Sequence, residues 1–246
     1  MSLQLQPRDV AILKDVFRFR VKSYEQIRSQ FFSDANPTAC FRRLRKLCDA
    51  GYLKGFSHVV GNKSQKYVET NDLGWKAIRN AFKYEMDHPH LKSESPFHDI
   101  RFAEVASRFE KLGCFAEIWL ENLLQSSTSL SEMPDLSDLV LLETDAALRV
   151  TAPNGRRYLY ALEYELNKKS PARYKEKLMA YYTCRHIQGL IYVAATHEIL
   201  NSLARVNAEV CGDKRSILYW ALESDVLKST DKLQFLGHRN ALIEFK

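Results

Sequence analysis

Residues 36–66 limit the possible fold more than any other stretch, because they combine a basic helix with a short hairpin. Asn36 is a good helix cap, and Pro37 fits the first helical position, where its missing N–H is not needed. An apolar stripe then recurs at helical spacing as far as Gly51, a typical helix stop. The sequence therefore predicts a helix between Asn36 and Gly51. Its stripe consists of Phe41, Leu44, Leu47 and Cys48.

Four cations of this helix lie outside its apolar stripe, and a hairpin is predicted directly after it. Residues 52–56 and 66–68 have the composition of short strands, and they flank a polar tip at residues 61–65. Lys63 and Lys66 place positive charge at this end of the hairpin. The four helix cations are Arg42, Arg43, Arg45 and Lys46.

Two shorter helices are predicted ahead of the basic helix. Pro7 opens the first, and Ser23 with Gln26 forms a capping-box pair that opens the second. Three helices followed by a hairpin are the order of a winged helix-turn-helix, in which one helix lies in the major groove of DNA. A further helix from Asp72 closes the predicted domain, which covers residues 1–86.

The positive charge of the chain is concentrated in this predicted domain. Residues 1–86 have 16 of the 36 Lys and Arg but only 8 of the 30 Asp and Glu, which gives them a net charge of +8. The remaining residues have 20 against 22, a net charge of −2. This asymmetry favours attraction to phosphate, so the predicted partner is duplex DNA. An ordinary surface helix whose cations only face water is the alternative.

The predicted DNA contacts fall on the basic helix and on the hairpin. Three helix cations are candidates for the groove, and Arg43 is a candidate for a phosphate contact. The hairpin lysines would reach an adjacent phosphate run or the minor groove. An RNA-binding alternative is weaker, because the sequence has no aromatic platform of the kind that single-strand readers use. The full predicted set is Thr38, Arg42, Arg43, Arg45, Lys46, Lys63 and Lys66.

The cysteines and the hydropathy pattern predict a cytoplasmic protein without a membrane partner. The five cysteines form no CxxC pair and are odd in number, so reduced thiols are expected. No apolar run approaches the ~18 residues needed to span a membrane, and no segment resembles a signal peptide.

Residues 87–97 are predicted as a linker, and residues 98–246 as an α/β domain of three layers with a mixed sheet. The linker contains two prolines and scattered charge without periodicity. The second domain begins with a helix, then has apolar runs that are first joined by a hairpin turn and later alternate with helices. The predicted strands include residues 139–142, 148–151, 158–166, 189–195 and 217–222.

Acidic side chains cluster around the strand at residues 158–166. Glu163 and Glu165 are two residues apart and therefore point to the same face. Asp135 and Asp138 precede the run 139–142, which a hairpin could place beside that strand. Carboxylates on adjacent strands, with lysines nearby, can hold Mg²⁺ against a phosphodiester. An exposed edge strand whose glutamates deter edge pairing is the alternative.

With these residues in view, the chain resembles the replication-relaxation family of plasmids and other mobile elements. The resemblance covers about residues 7–225. It implies a winged helix-turn-helix joined to a restriction-endonuclease-like domain of the PD-(D/E)XK type, and some relatives are implicated in nicking or relaxing DNA at an origin. Its pieces are residues 7–13, 41–47, 51–53, 67–68, 98–101, 134–135 and 162–165, with Gly74, Arg173, Tyr174, Lys177 and Tyr181.

The resemblance implies a possible catalytic site in the second domain. Asp138, or Asp135, would bind Mg²⁺ together with Glu163 and Glu165, and Lys168 would stabilise the charge that develops on the scissile phosphate. Glu104 is a more distant candidate. At position 165, however, the chain has an acid where the nuclease signature has lysine.

Two functions follow from the sequence as expectations. One is a sequence-specific duplex-DNA-binding protein of plasmid or mobile-element type, with a nuclease-like domain that either nicks DNA at an origin or is catalytically degenerate. The other is a transcriptional regulator without enzyme activity, whose second domain serves dimerisation, as in a homodimer, or partner binding. Metal binding at Glu163 separates the two.

Overall fold

The computed structural model of the chain describes residues 3–60, 63–152, 154–212 and 215–246, apart from the side chains of residues 59, 60 and 63. These residues form two compact units. The first comprises residues up to 103 together with 125–129, and the second comprises 104–124 together with 130–246. Within the described residues, no helix is both long enough and apolar enough to cross a membrane.

The first unit consists of helices and a small antiparallel sheet. Residues 79–81 form a short 3₁₀ turn after the last of its own helices, and a long helix then begins in this unit and ends in the second. The elements in chain order are α1 (Pro7–Phe19), β1 (Val21–Ser23), α2 (Tyr24–Phe31), α3 (Pro37–Asp49), β2 (Leu53–Val60), β3 (Lys63–Thr70), α4 (Asp72–Ile78) and α5 (Pro96–Glu110).

The starts of these helices follow from the capping residues that the sequence contains. The Asn36 side chain accepts a hydrogen bond from the backbone N–H of Thr38 at 2.9 Å, and Pro37 is the first residue of α3, as predicted. Ser23 and Gln26 exchange the two hydrogen bonds of a capping box at the start of α2. Local sequence therefore fixes where α2 and α3 begin.

The three strands of the first unit are arranged in the order β1-β3-β2, all antiparallel. Phe56 pairs with Tyr67 across β2 and β3, and their rings stack with centroids 5.6 Å apart. This aromatic pair packs with Val21 and with Ile100 of α5. The predicted hairpin is thus present, while its tip residues Gly61 and Asn62 lie outside the described residues.

The segment predicted as a linker has no regular secondary structure as far as residue 95. Helix α5 begins at Pro96, two residues before the predicted start. The backbone N–H of Asp87 donates to the carbonyl of Ser126 at 2.9 Å, and both residues belong to the first unit.

The second unit is built on a mixed sheet of seven strands in the order β10-β9-β8-β7-β6-β5-β4. The strands β6, β7 and β8 are parallel, and the other neighbouring pairs are antiparallel. Residues 125–129, which cover the end of α6 and the start of α7, belong to the first unit. The elements that follow α5 in the chain are β4 (Phe115–Leu120), α6 (Glu121–Ser126), α7 (Thr128–Ser131), α8 (Ser137–Leu141), β5 (Ala146–Thr151), β6 (Arg157–Glu165), α9 (Pro171–Thr183), β7 (Gly189–Ala194), α10 (His197–Cys211), β8 (Leu218–Leu222), α11 (Glu223–Lys228), β9 (Leu233–Gly237) and β10 (Leu242–Phe245).

The sheet is curled, and its two edge strands approach each other on the concave side. The rings of Phe115 on β4 and Phe245 on β10 have centroids 5.1 Å apart. Phe109 of α5 packs on this side against Phe235 of β9. Helices and a mixed sheet confirm the mixed α and β class that the sequence predicts.

The prediction of a strand at residues 139–142 is wrong. These residues lie in and just after α8, with Leu136 and Leu139 buried and Leu141 81% exposed. Buried positions three residues apart are typical of a helix, and a run of four apolar residues cannot distinguish a strand from one helical turn. The predicted hairpin of the runs 148–151 and 158–166 is confirmed as β5 and β6, and β5 begins at Ala146.

Candidate nucleic-acid interface and buried acidic site

Helix α3 presents a continuous polar face in the first unit. Thr38, Arg42 and Arg45 recur at spacings of four and three residues, so they lie along one line of the helix, with Lys46 beside it. All four side chains are exposed. The Arg45 guanidinium lies 3.8 Å from the Asp49 carboxylate. Both side chains are more than two-thirds exposed, so solvent weakens this ion pair.

The opposite face of α3 is fully buried, which fixes the direction in which the polar face points. Cys40, Leu44 and Leu47 have no exposed surface. A Cβ at Gly55 of β2 would lie 3.5 Å from the Cys48 sulfur, so α3 and the hairpin approach closely at that point. The helix is thereby packed between α2 and the sheet rather than lying loosely on the surface.

Arg43 does not share the solvent-facing position of its neighbours. Its guanidinium binds both carboxylate oxygens of Asp9 and donates to the carbonyl of Gln4 at 3.1 Å. The Asp9 side chain is 1% exposed, and the Arg43 side chain is 17% exposed. The cation predicted for a phosphate contact therefore connects α3 to α1.

The electrostatics of Asp9 reflect this pairing. Burial alone would raise the pKa of the Asp9 carboxyl, but hydrogen bonds from Arg43 and from the Gln6 backbone N–H outweigh it, so the pKa lies below its usual value. Asp9 is consequently held as an anion by α3 on one side and by its own helix start on the other.

The hairpin places Lys66 on the same side of the sheet as α3. Lys66 pairs with Ser57, and Gly55, which abuts α3, pairs with Val68. Residues 66 and 68 are two positions apart on the same strand, so their side chains share a face of the sheet. Lys66 is exposed on that face, nearer the tip. The side chain of Lys63, the other predicted hairpin contact, lies outside the described residues.

In the second unit, Glu163 and Glu165 lie at the end of β6, and both are buried. One oxygen of Glu163 binds the ammonium of Lys177, and the other accepts from the Tyr181 hydroxyl. The Tyr181 hydroxyl is in turn 2.7 Å from that of Thr144. Lys177 and Tyr181 are four residues apart on α9 and thus on the same helix face.

The pKa shifts of this group arise from burial and from the paired charges. Burial raises the pKa of the Glu163 carboxyl even though Lys177 and Tyr181 act in the opposite direction. Burial would lower the pKa of Lys177, but the negative charges of Glu163 and Asp145 raise it above its ordinary value. Burial and the adjacent Glu163 also raise the pKa of Tyr181 well above its usual range.

Asp145 is a site residue that the sequence analysis missed. It is buried directly ahead of β5, and one of its oxygens accepts a 2.6 Å hydrogen bond from the backbone N–H of Tyr164. Ala146 pairs with Leu162, which places Asp145 beside Glu163. The available signal was an acid immediately before the apolar run 146–148, and the mistaken strand at 139–142 concealed it.

The other predicted site residues lie apart from this cluster. Asp135 binds Arg149, which also binds Glu117 at 2.7 Å. Asp138 lies on α8. Lys168 is exposed and pairs with Glu198 at 2.6 Å. Of the predicted metal and catalytic residues, the structure therefore brings together only Glu163 and Glu165, and the nearby lysines are Lys169 and Lys177.

The Mg²⁺ ion that the resemblance implies does not fit this arrangement. The donor chemistry is suitable, since carboxylate oxygens are the ligands that Mg²⁺ prefers. Both oxygens of Glu163, however, already have a partner in Lys177 and Tyr181. Across the described ranges, no three or more His, Cys, Asp or Glu side chains are grouped so that they could hold a metal ion.

Comparisons of the chain with protein-family models, with curated proteins and with solved structures give no match.

Proposed function

We propose that the protein binds duplex DNA through its first unit, which has the element order of a winged helix-turn-helix. The order α1-β1-α2-α3-β2-β3, with β1 paired to β3, supports this assignment. In it, α3 is the recognition helix and the β2–β3 hairpin is the wing. The single observation on which the proposal depends is the exposed polar line of α3, which comprises Thr38, Arg42, Arg45 and Lys46.

The dimensions and chemistry of α3 suit the major groove. Thirteen residues give a length of about 20 Å, and the groove is wide enough to admit a helix. Arg42 and Arg45 can bind guanine edges in a bidentate manner, and Lys46 beside them suits a phosphate. Lys66 on the α3 side of the wing would extend the contact along the phosphate backbone. Arg43 has no direct contact in this proposal, because Asp9 holds it.

The test is a fluorescence-anisotropy titration of labelled duplex DNA with the full chain at several salt concentrations. The double variant Arg42→Ala/Arg45→Ala should lose roughly 2–6 kcal/mol of binding free energy if both side chains contact base edges, at about 1–3 each. Lys76→Ala removes an exposed cation from α4, outside the polar line and the wing, and serves as the matched control. Equal affinity of wild type and double variant at every salt concentration contradicts the proposal.

The resemblance to the replication-relaxation family supports a narrower proposal, that the target lies in a mobile element, such as a plasmid origin. In this proposal the protein is a DNA-binding regulator, and its second unit has no metal-dependent catalysis because the Glu163 carboxylate is already paired. Selection of bound duplexes from a fragmented plasmid library tests the target class. Enrichment of no sequence over random DNA contradicts sequence-specific binding.

A DNA-nicking enzyme is the second candidate. The order α5-β4-β5-β6-α9-β7, with α6, α7 and α8 between β4 and β5, supports a restriction-endonuclease-like core. Asp145, directly before β5, lies beside Glu163 at the end of β6, and Lys177 of α9 binds Glu163. The test is incubation of supercoiled plasmid with the full chain and Mg²⁺ or Mn²⁺. Nicking by wild type that Glu163→Gln abolishes supports the enzyme, and no nicking by wild type supports the regulator.

A further inference from the structure

The two glutamates at the end of β6 each have a lysine and a tyrosine as side-chain partners. One oxygen of Glu163 binds the Lys177 ammonium, and the other accepts from the Tyr181 hydroxyl. One oxygen of Glu165 lies 3.4 Å from the Lys169 ammonium, and the other accepts from the Tyr192 hydroxyl at 3.4 Å. Each carboxylate therefore has one ammonium group and one phenol, and neither has an oxygen left without a polar neighbour.

The two lysines reach these carboxylates from the surface. The side chains of Lys169 and Lys177 are 35% and 38% exposed, whereas the residues Glu163 and Glu165 are only 2% and 8% exposed. Lysine commonly lays its aliphatic stem along the protein while its ammonium group finds a polar partner. A buried carboxylate is costly unless it is paired, so these two cations account for the presence of two glutamates inside the sheet.

A third carboxylate makes the balance of charge depend on the lysines. Asp145 lies beside Glu163, and its negative charge acts on Lys177. The Lys177 ammonium therefore compensates the negative charge of both Glu163 and Asp145, and its removal takes away the hydrogen bond to one oxygen of Glu163. A carboxylate oxygen set free in this way is a hard ligand of the kind that divalent cations prefer.

We infer that Lys177 is the built-in cation of this pocket and occupies the place that a divalent ion would otherwise take at Glu163. The wild-type pocket is then an ion-paired part of the core that binds no divalent metal. Removal of the Lys177 charge sets free one oxygen of Glu163, so that a divalent cation can bind there beside Asp145. This inference concerns the second unit only and does not depend on DNA binding by the first.

The experiment measures thermal unfolding and Mn²⁺ titration calorimetry of the full chain, without DNA. Wild type is expected to show no heat of Mn²⁺ binding and no shift of its unfolding temperature. Lys177→Met should unfold at a lower temperature than wild type, and Mn²⁺ should raise that temperature increasingly with concentration, because a ligand that binds only the folded state stabilises it. Lys177→Gln, which keeps a hydrogen-bond donor, provides the same test if the Met variant does not fold.

Three further variants separate the inference from a general effect of charge. Lys177→Arg keeps the cation and should behave as wild type towards Mn²⁺. Lys175→Met removes an exposed lysine of the same helix and should also show no Mn²⁺ effect. Adding Glu163→Gln to Lys177→Met should abolish the Mn²⁺ shift. Mn²⁺ binding by wild type that depends on Glu163 overturns the inference, and so does a Lys177→Met variant that folds but does not respond to Mn²⁺.

Discussion

Arg43 provides the sharpest test of how the first unit is built. Its place on the basic helix predicts a phosphate contact, whereas in the structure it is the ion-pair partner of the buried Asp9. The change is Arg43→Met, which keeps much of the aliphatic stem and removes the guanidinium. It leaves the carboxylate of Asp9, whose side chain is 1% exposed, without its cation. Removing one partner of a buried ion pair typically costs about 3–5 kcal/mol.

Two features of the site reduce that figure. The Arg43 side chain is 17% exposed, so water partly solvates the pair. Asp9 also retains the 2.6 Å hydrogen bond from the Gln6 backbone N–H. We therefore expect a loss of about 2–3 kcal/mol of unfolding free energy, in the range for lost hydrogen bonds to a charged group. The adjacent Arg42→Met, at an exposed position, should change stability by no more than about 0.5 kcal/mol.

Hydrogen exchange measured by mass spectrometry suits this test, since peptides from α1 and α3 report on the first unit separately from the second. Slowly exchanging amides in both helices should exchange faster in Arg43→Met and keep wild-type rates in Arg42→Met. If Arg43 instead contacts phosphate, its loss would leave exchange unchanged and lower the slope of log affinity against log salt by about 0.9. That pair of results would refute the structural role of Arg43.

Two pH-dependent predictions follow from other groups of the first unit. Because the pKa of Asp9 is lowered in the folded state, its ionised carboxylate stabilises the fold fully above the usual pKa of 3.8. This stabilisation is lost as the pH falls through the folded-state pKa. In acid denaturation, the unfolding free energy of Asp9→Asn should therefore fall less steeply with pH than that of wild type. Burial raises the pKa of the Cys40 thiol to about 11. Relative to the ordinary value of 9.0, this lowers the thiolate fraction at pH 9 about fifty-fold, and the side chain also has no exposed surface. Iodoacetamide alkylation of Cys40 at pH 9 should therefore be at least about fifty-fold slower than that of a free thiol, and equal rates would contradict its burial.

The first residue of α3 and the face that this helix buries could be predicted, because both depend on residues close together in the sequence. Asn36 and Pro37 determine the first turn, and the apolar spacing determines which side is buried. The shared face of Glu163 and Glu165 could be predicted for the same reason, since side chains alternate along any strand. These features need no knowledge of the partner elements.

The role of Arg43 and the identity of the acid beside Glu163 could not be predicted, because both depend on pairings over long sequence distances. Asp9 is 34 residues from Arg43, and an arginine on a basic helix has the same local pattern whether it faces solvent or a buried acid. Asp145 became adjacent to Glu163 only through the register of β5 with β6. The hairpin of β9 and β10 could not be predicted either, because its strands have only five and four residues.

Lys177 supplies the cation for Glu163 from a helix rather than from β6 itself. In an acid-x-lysine pair the cation would be two residues along the strand, on the same face as Glu163. Here Glu165 has that position, and Lys177 supplies the ammonium from α9 instead. Because α9 also positions Tyr181, both side-chain partners of Glu163 are in place only while this helix is packed on the sheet. The cost of burying that carboxylate is therefore offset only once α9 has docked.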